Sequence, residues 1–345
     1  MARSGKRGGP PVVTLKSVAE HLGLTPGTVS SVLNDAPSAR SIPLKTKNLI
    51  RAAAKELNYQ PNYFARSLRK KRTYTLGVIA EEIGDSYGSQ IITGIEEYLR
   101  GKDYSFLTMV HRHDPELLQR HLHLLAQRGV EGIITVDTSL QESPALPTIA
   151  VPGHRKLKGV TNLALDHEKA AFLALDHLMS LSHRHIAFMK GNPISTDAKD
   201  RWQAICNVAR QLHLEIDPDL TVQIDIDDPS PQLGYPFGKL LLARRKLFTA
   251  LFAYNDISAI GAIRAFQEAG LRVPQDISVI GFDDIPWAAF QSPSLTTVRQ
   301  PLIRMGQVAA QTLVQRIEGN GEYPPEITIA PELVLRESTG KAREL

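Results

Sequence analysis

From residue 75 onward the chain alternates between short apolar runs and longer segments with helical periodicity. The predicted strands cover residues 75–80, 104–110, 132–136, 148–151, 185–189, 221–226, 248–254 and 277–282. The predicted helices between them cover residues 90–99, 116–127, 169–181, 201–212, 233–244 and 258–269. This alternation is typical of parallel sheets with helices on both faces. Because about 270 residues are more than one doubly wound sheet requires, we predict two α/β lobes.

Residues 13–60 follow a different pattern, which predicts three short helices. Thr14 and Thr25 are typical N-caps, Pro26 suits a first helical turn, and Gly23 ends the first helix. About three residues separate the first two helices, which matches the turn of a DNA-binding helix-turn-helix. The second helix places small and polar side chains opposite its apolar side, so its backbone can approach a major groove closely. By itself this is nearly as typical of an ordinary polar helix face, and the basic surroundings favour DNA.

The charges are distributed unevenly along the chain. Residues 1–73 contain 14 Lys and Arg against three Asp and Glu, a net charge of +11. The remaining residues contain 26 Lys and Arg against 33 Asp and Glu, a net charge of −7. A small basic module joined to a larger acidic one indicates that the first binds a polyanion. We predict that residues 1–12 form a disordered basic arm, which lacks the apolar segment of a signal peptide.

The sequence gives little support to an enzyme or a membrane protein. Gly-x-Gly-x-x-Gly, Walker A and Gly-x-Ser-x-Gly motifs are absent, and no apolar run approaches the roughly 18 residues needed to span a bilayer. The single cysteine, Cys206, leaves no disulfide framework and fits a cytoplasmic location. We therefore expect no catalytic residue and no cofactor.

The histidines and one acidic pair are the candidates for a metal or a ligand site. The histidine pairs lack an evident third ligand, so we expect no metal; they are His111 and His113, His121 and His123, and His183 and His185. Asp283 and Asp284 follow the predicted strand 277–282, at the strand end where α/β folds bind ligands. Since no nucleophile or metal accompanies this pair, a binding role is favoured over a catalytic one.

The sequence resembles the lactose/galactose repressor (LacI/GalR) family of transcriptional regulators. The similarity covers essentially residues 12–340 in order. It is carried by residues 13–34, 45–46, 56–62, 65–68, 76–79, 129–134, 183–188, 255–256, 281–284, 295–301 and 335–340, among them Thr28-Val29-Ser30, Ala65-Arg66-Ser67-Leu68, Asn255-Asp256 and Gly281-Phe282-Asp283-Asp284.

The resemblance implies a fold and a function. It implies an all-α helix-turn-helix headpiece over residues 13–60, a hinge helix and linker over 61–73, and an effector-binding and dimerisation module over 74–345. That module would be a two-lobed α/β fold with parallel sheets, similar to periplasmic sugar-binding proteins. The implied function is a homodimeric repressor on the DNA of the nucleoid, away from any membrane. Its partners would be double-stranded operator DNA and a sugar-like effector that changes operator binding.

The resemblance also implies the residues at each site. The helix-turn-helix contacts to DNA would come from Leu15, Thr25, Pro26, Gly27, Thr28, Ser30, Ser31 and Asn34. In the hinge, Leu68 would insert into the minor groove beside Asn62 and Ala65. The effector would be bound by Asp85, Ser86, Arg201, Asn255, Asp283 and Trp287, a set that suits hydroxyl groups.

The chain departs from the family pattern at particular positions. Ser31 stands where the family usually has Arg, so a bidentate contact to guanine is lost. The loop 35–44 is about three residues longer than is common in the family, and Ala204 replaces a usual Gly. Two other classes of protein fit the sequence less well. A secreted solute-binding protein would not need the basic residues 1–73, and an α/β enzyme would need a nucleophile, a cofactor loop or a metal site.

Overall fold

The computed structural model describes residues 13–60, 67, 70–84, 86–153, 155–226, 228–319 and 323–344. The chain divides into two compact units, Met1–Thr73 and Tyr74–Leu345. The predictions for the arm, for the hinge residues Asn62, Ala65 and Leu68, and for Asp85 lie outside the described residues.

The first unit contains the three predicted helices. They are α1 (Leu15–Leu22), α2 (Pro26–Leu33) and α3 (Leu44–Glu56). The Thr14 and Thr25 side chains accept the N–H groups of Ser17 and Thr28, and Gly23 ends α1 with φ of 64°, as predicted. The predicted loop between α2 and α3 also contains a 3-10 helix, Pro37–Ser41. A small core holds the helices together; it consists of Val18, Ala19, Val29, Val32, Ala39, Ile50, Ala53 and Ala54.

Lobe 1 of the second unit is built on a parallel sheet. In sheet order its strands are β11 (Glu326–Ile329), β5 (Val160–Leu165), β4 (Thr148–Val151), β3 (Gly132–Val136), β1 (Thr75–Ala80) and β2 (Ser105–Val110). Helices α4 (Ser86–Leu99) and α10 (Leu302–Ile317) share one apolar core with the sheet, and α5 (Pro115–Gln127) belongs to another. Gly94 and Gly306 let the backbones of α4 and α10 touch, because a Cβ on either would lie within 2.0 Å of a carbonyl oxygen of the other helix.

Lobe 2 repeats this plan. Its sheet order is β12 (Glu332–Val334), β10 (Thr296–Arg299), β9 (Ser278–Asp283), β8 (Ala250–Phe252), β6 (Ile186–Lys190) and β7 (Thr221–Gln223), and only β12 runs antiparallel to its described neighbour. Helices α6 (His167–Ser180) and α7 (Thr196–Gln211) pack in one core, and α8 (Tyr235–Ala243) and α9 (Asp256–Glu268) pack in the other.

The two lobes are not consecutive halves of the chain. In the described part, the chain passes from lobe 1 to lobe 2 between β5 and α6, returns between β10 and α10, and crosses again between β11 and β12. The predicted fold class is confirmed, but β5, β10, β11 and β12 were not among the predicted strands. None of the helices in the described ranges is both long and apolar enough to cross a lipid bilayer.

Candidate functional site

Helix α2 displays the residues predicted to contact DNA. Val29 and Val32 are fully buried and anchor one side of the helix in the headpiece core. The predicted contact residues on the helix or beside it are exposed or partly exposed: Thr25, Pro26, Gly27, Thr28, Ser30, Ser31 and Asn34. Leu15 lies on α1 and is a partly buried neighbour of the same core. An exposed face of small side chains is what allows a helix backbone to enter a major groove.

Hydrogen bonds fix some of the polar side chains on the exposed face of α2. Asn34 Nδ2 donates to the carbonyl oxygen of Ser30 at 2.8 Å, at the C-terminal end of α2. Ser38 Oγ, from the 3-10 helix of the long loop, donates to Ser31 Oγ at 2.9 Å. The hydroxyl at position 31 is therefore tied to the loop that follows α2.

A cavity of about 170 Å³ lies in the second unit, at the carboxyl ends of strands from both sheets. Residues that follow β1, β3, β8 and β9 line it, as do residues at the N-termini of α4, α7 and α9. The lining includes Glu81, Glu82, Ser86, Tyr87, His113, Asp137, Asn192, Ser195, Asp228, Tyr254, Asn255 and Asp283. Parallel α/β folds bind ligands at this edge of the sheet. We call this cavity the cleft.

The structure brings three of the predicted effector residues together and places two elsewhere. Ser86, Asn255 and Asp283 line the cleft. Asn255 is also the N-cap of α9, and its side-chain oxygen accepts the N–H of Ser258 at 2.9 Å. Arg201 and Trp287 are not among the described residues of the lining. Trp287 lies in the 3-10 helix Pro286–Phe290 and is 60% exposed.

Arg201 is buried next to the cleft, inside the wall of lobe 2. One guanidinium nitrogen donates to Asp197 Oδ2 at 2.6 Å, and another donates to the carbonyl oxygen of Tyr254 at 2.7 Å. The guanidinium lies 3.8 Å from the centre of the Phe282 ring. Burial acts to lower the pKa of Arg201, but the Asp197 carboxylate and other acidic groups raise it above the usual value. The cation that was predicted to bind the effector is therefore already paired within the protein.

Asp283 and Asp284 have separate roles despite being adjacent. Both have positive φ, 110° and 57°, a strained backbone conformation that is often found at functional sites. Asp283 faces the cleft and accepts a hydrogen bond from Gln300 Nε2 at 2.7 Å. Asp284 instead pairs with Arg299 at 2.7 Å and Arg336 at 2.5 Å. The pair is split between a carboxylate that lines the cleft and one that pairs with two arginines.

Several cleft residues were missed by the sequence predictions. Glu81 and Glu82 directly follow β1, Asp137 directly follows β3, and Tyr254 follows β8 closely. Ligand groups commonly follow the carboxyl ends of parallel strands, and this rule applies to these residues as it does to Asp283. Asn192 and Asp228 lie in loops whose path depends on tertiary packing.

A second cavity of about 150 Å³ adjoins the cleft and shares Glu81, His113 and Asp137 with it. His111 is buried in its wall, and its Nε2 lies 3.0 Å from Thr138 Oγ1. Burial, with smaller contributions from His113 and His121, lowers the pKa of His111 to about 4. Within the described ranges, no group of three or more His, Cys, Asp or Glu side chains is arranged to hold a metal ion.

Comparisons with known proteins agree with this architecture. A model of "Bacterial regulatory proteins, lacI family" matches residues 14–62, and a "Periplasmic binding protein-like domain" model matches residues 175–339. The HTH-type transcriptional repressor PurR of Haemophilus influenzae is 33% identical over 340 residues, which is 95% of this chain and 98% of the relative. PurR of Pasteurella multocida is also 33% identical, over 336 residues, with the same coverage of 95% and 98%.

Solved structures give the same result. A crystal structure of the Lac repressor dimer bound to operator and the anti-inducer ONPF superposes with a TM-score of 0.85 at 27% identity, covering 96% of this chain and 100% of that one. The complex of the transcriptional regulator CelR with cellobiose has a TM-score of 0.68 at 26% identity, covering 94% and 99%. The chain therefore belongs to the lacI family of bacterial regulatory proteins, and it is a DNA-binding transcriptional regulator rather than an enzyme.

Proposed function

We propose that this regulator is a repressor that binds its operator through α2. A small polyol-like effector in the cleft would either lower or raise its affinity for the operator. One observation carries the proposal: an exposed helix-turn-helix and a ligand-sized cleft between two lobes belong to the same chain. The relatives named PurR are transcriptional repressors, and the Lac repressor has been solved with operator and a small ligand bound. The effector therefore acts on DNA binding and is not turned over.

The operator contacts would combine base reading with phosphate binding. Pro26 and Gly27 at the start of α2 are exposed and small, so this end of the helix can lie deep in a major groove. Thr28, Ser30 and Ser31 supply hydroxyls within the same helix. Lys and Arg side chains of residues 1–73 would supply most of the affinity, which therefore falls as salt rises.

The polar lining of the cleft suits a ligand rich in hydroxyl groups. Asp137 and Asp283 carry carboxylates that accept hydrogen bonds from hydroxyl donors. Asn192 and Asn255 add amide groups to the lining. Aromatic rings of Tyr87 and Tyr254 provide apolar surface for the ring of a sugar or a related compound.

The effector would act by changing the angle between the lobes. The cleft is lined from both lobes, while the chain joins them at the segments 165–167, 299–302 and 329–332 within the described part. A ligand that binds both walls favours one lobe arrangement over another. We infer that residues 61–73 pass this change from the module 74–345 to the headpiece 13–60.

We further propose that the protein is a homodimer acting on nucleoid DNA in the cytoplasm. Two headpieces would then bind two half-sites of a near-palindromic operator. Phe290 and Trp287 support this proposal, since large apolar side chains that are 83% and 60% exposed are typical of an interface. The Lac repressor structure with operator is also a dimer.

Selection from random DNA followed by footprinting of the full chain tests the proposed function. We expect one near-palindromic footprint that candidate polyols weaken or strengthen. The variant Gly27→Glu, which puts a carboxylate on α2, should abolish the footprint. The matched variant Ala52→Glu, on an exposed position of α3, should weaken it far less. Binding that ignores sequence and does not respond to any ligand would refute the proposal.

A further inference from the structure

The cleft wall carries a strong excess of negative charge. Five carboxylates line it: Glu81, Glu82, Asp137, Asp228 and Asp283. Among the described lining residues there is no Lys or Arg, and His113 alone can carry a positive charge. A cleft of one charge sign attracts ligands of the opposite sign and repels those of the same sign.

The buried Arg201 next to the cleft offsets only part of this charge, because it is already paired. Arg201 is 5% exposed and its guanidinium is bound to Asp197 and to the Tyr254 carbonyl group. Asp197 also lies 2.9 Å from His167 Nε2, so its two oxygens both have partners within lobe 2. The Arg201 charge is thus paired with Asp197 behind the described lining of the cleft, and its electrostatic effect extends to Asp283 and Tyr87.

Neutral groups donate hydrogen bonds to two of the cleft carboxylates, and a third, Glu81, lies against His113 Nε2. Gln300 donates its amide to Asp283 at 2.7 Å, and the backbone N–H of Ser230 donates to Asp228 at 2.8 Å. The Ser230 hydrogen bonds lower the pKa of Asp228 below its ordinary value, so this carboxylate is ionised at neutral pH. Neutral donors therefore favour the ionised form of Asp228 in the cleft.

Tyr87 completes a surface suited to a cation. Tyr87 and Tyr254 both line the cleft, and the face of an aromatic ring attracts an ammonium group, but the Tyr254 ring already has the Arg201 guanidinium 4.9 Å from its centre. The Tyr87 hydroxyl is buried and has no hydrogen-bond partner among the described residues. Burial, followed by nearby acidic groups, raises the pKa of Tyr87 well above its usual value, so the hydroxyl keeps its proton and can donate to a ligand.

We propose that the effector of this regulator carries a protonated amine in addition to its hydroxyl groups, as an amino sugar does, and that phosphorylated or carboxylated compounds are excluded. The amine would lie among the cleft carboxylates, against the Tyr87 ring. This inference rests on the proposed function, because it assumes that the cleft binds the effector, and it narrows the class of that effector.

Matched ligands that share a scaffold test the proposal with the full chain. Calorimetric titrations and thermal unfolding would compare D-glucosamine, D-galactosamine and D-mannosamine with the parent hexoses and the hexose 6-phosphates. We expect at least one amine to bind about tenfold tighter than its parent hexose, as a charge-assisted hydrogen bond provides, with no binding of the phosphates. The proposal is overturned if no amine binds better than its parent, or if a phosphate binds as well.

Charge-neutralising variants separate the cleft from a general charge effect. Glu82→Gln and Asp228→Asn should each reduce the preference for the amine over the hexose several-fold. Glu215→Gln removes an exposed carboxylate that does not line the cleft and should leave the preference unchanged.

Footprinting without ligand reports on the proposed function separately. A specific footprint without a preference for the amine would refute only the proposed amine specificity. Absence of any specific footprint would refute the proposed function itself.

Discussion

Asp197 and Arg201 form a buried ion pair one helical turn apart on α7, with 2.6 Å between carboxylate oxygen and guanidinium nitrogen. Glu96 and Arg100 have the same i, i+4 spacing on α4, at 2.7 Å, but they are exposed. Removing Asp197 leaves a desolvated cation, whereas removing Glu96 leaves Arg100 in water. The two pairs share their spacing and differ mainly in burial.

We therefore expect Asp197→Ala to lower the free energy of unfolding by about 3 to 5 kcal/mol. Glu96→Gln should have a much smaller effect, because exposed ion pairs contribute little. Urea unfolding of both variants measures the difference. The double variant Asp197→Ala/Arg201→Met should regain part of the loss, and equal losses in the two single variants would contradict the role given to burial.

The contact between α4 and α10 predicts that Gly94 tolerates no side chain. A Cβ at this position would lie 1.9 Å from the carbonyl oxygen of Ile303. Gly94→Ala should destabilise the second unit by about 1 to 3 kcal/mol, since the helices must separate. At Gly27 a Cβ meets nothing closer than 3.9 Å, so Gly27→Ala should stabilise α2 by up to about 1 kcal/mol. Calorimetric unfolding measures both, and a stable Gly94→Ala variant would show that the contact is looser than described.

His111 predicts a dependence of stability on pH. Its pKa is about 4 in the folded chain, whereas an unfolded histidine titrates near 6.5. Between these values the unfolded chain binds a proton that the folded chain does not, so stability falls as the pH decreases from about 6.5 to about 4. The contribution lost over this window is at most about 3 kcal/mol.

His111→Gln should remove this part of the pH dependence while it keeps a group able to bond Thr138. His123→Gln is the matched control, because His123 is exposed on α5. Denaturant unfolding between pH 4 and 7 gives the slopes. Identical slopes for the His111→Gln variant and the parent chain would show that another group titrates in this range.

Ser31 predicts a change in operator preference. Ser31→Arg removes the hydrogen bond from Ser38 and introduces a side chain that can bind guanine through two hydrogen bonds. We expect selection from random DNA to yield half-sites with a new guanine preference at one position. Ser31→Ala should keep the original consensus with reduced affinity. An unchanged consensus for Ser31→Arg would place this side chain outside the groove.

The exposed aromatic side chains predict an effect on assembly. Phe290→Asp should shift the protein from dimer to monomer, because a carboxylate would be buried in the proposed interface. Leu247→Asp is the matched control, since Leu247 is 62% exposed and lies between α8 and β8. Sedimentation equilibrium measures both, and a dimeric Phe290→Asp variant would place the interface on another surface.

Local chemistry made part of the structure predictable. Thr14, Gly23 and Thr25 mark helix ends through interactions within a few residues, so the sequence alone located α1 and α2. The end of the predicted strand 277–282 likewise pointed to Asp283, which lines the cleft. Strand β5 was missed because its buried positions include the polar Thr161 and Asn162, whose partners are other segments of the chain.

The position of Arg201 could not be predicted in the same way. The spacing to Asp197 is visible in the sequence, but this i, i+4 spacing does not determine whether the pair is exposed or buried. Its burial depends on Tyr254, which follows β8, and on Phe282 of β9, both brought to it by the packing of lobe 2. Tertiary contacts therefore decided whether this cation faces the cleft or the protein interior.

The repeated passage of the chain between the lobes limits how such a regulator can be recombined. Lobe 1 takes its strands β1 to β5 from one part of the chain and α10 and β11 from a distant part. A chimera joined near residue 166 would pack α4 of one parent against α10 of the other. A junction near residue 73 cuts the chain where it connects the two compact units. New ligand responses can therefore be exchanged among relatives as the whole of residues 74–345, and not lobe by lobe.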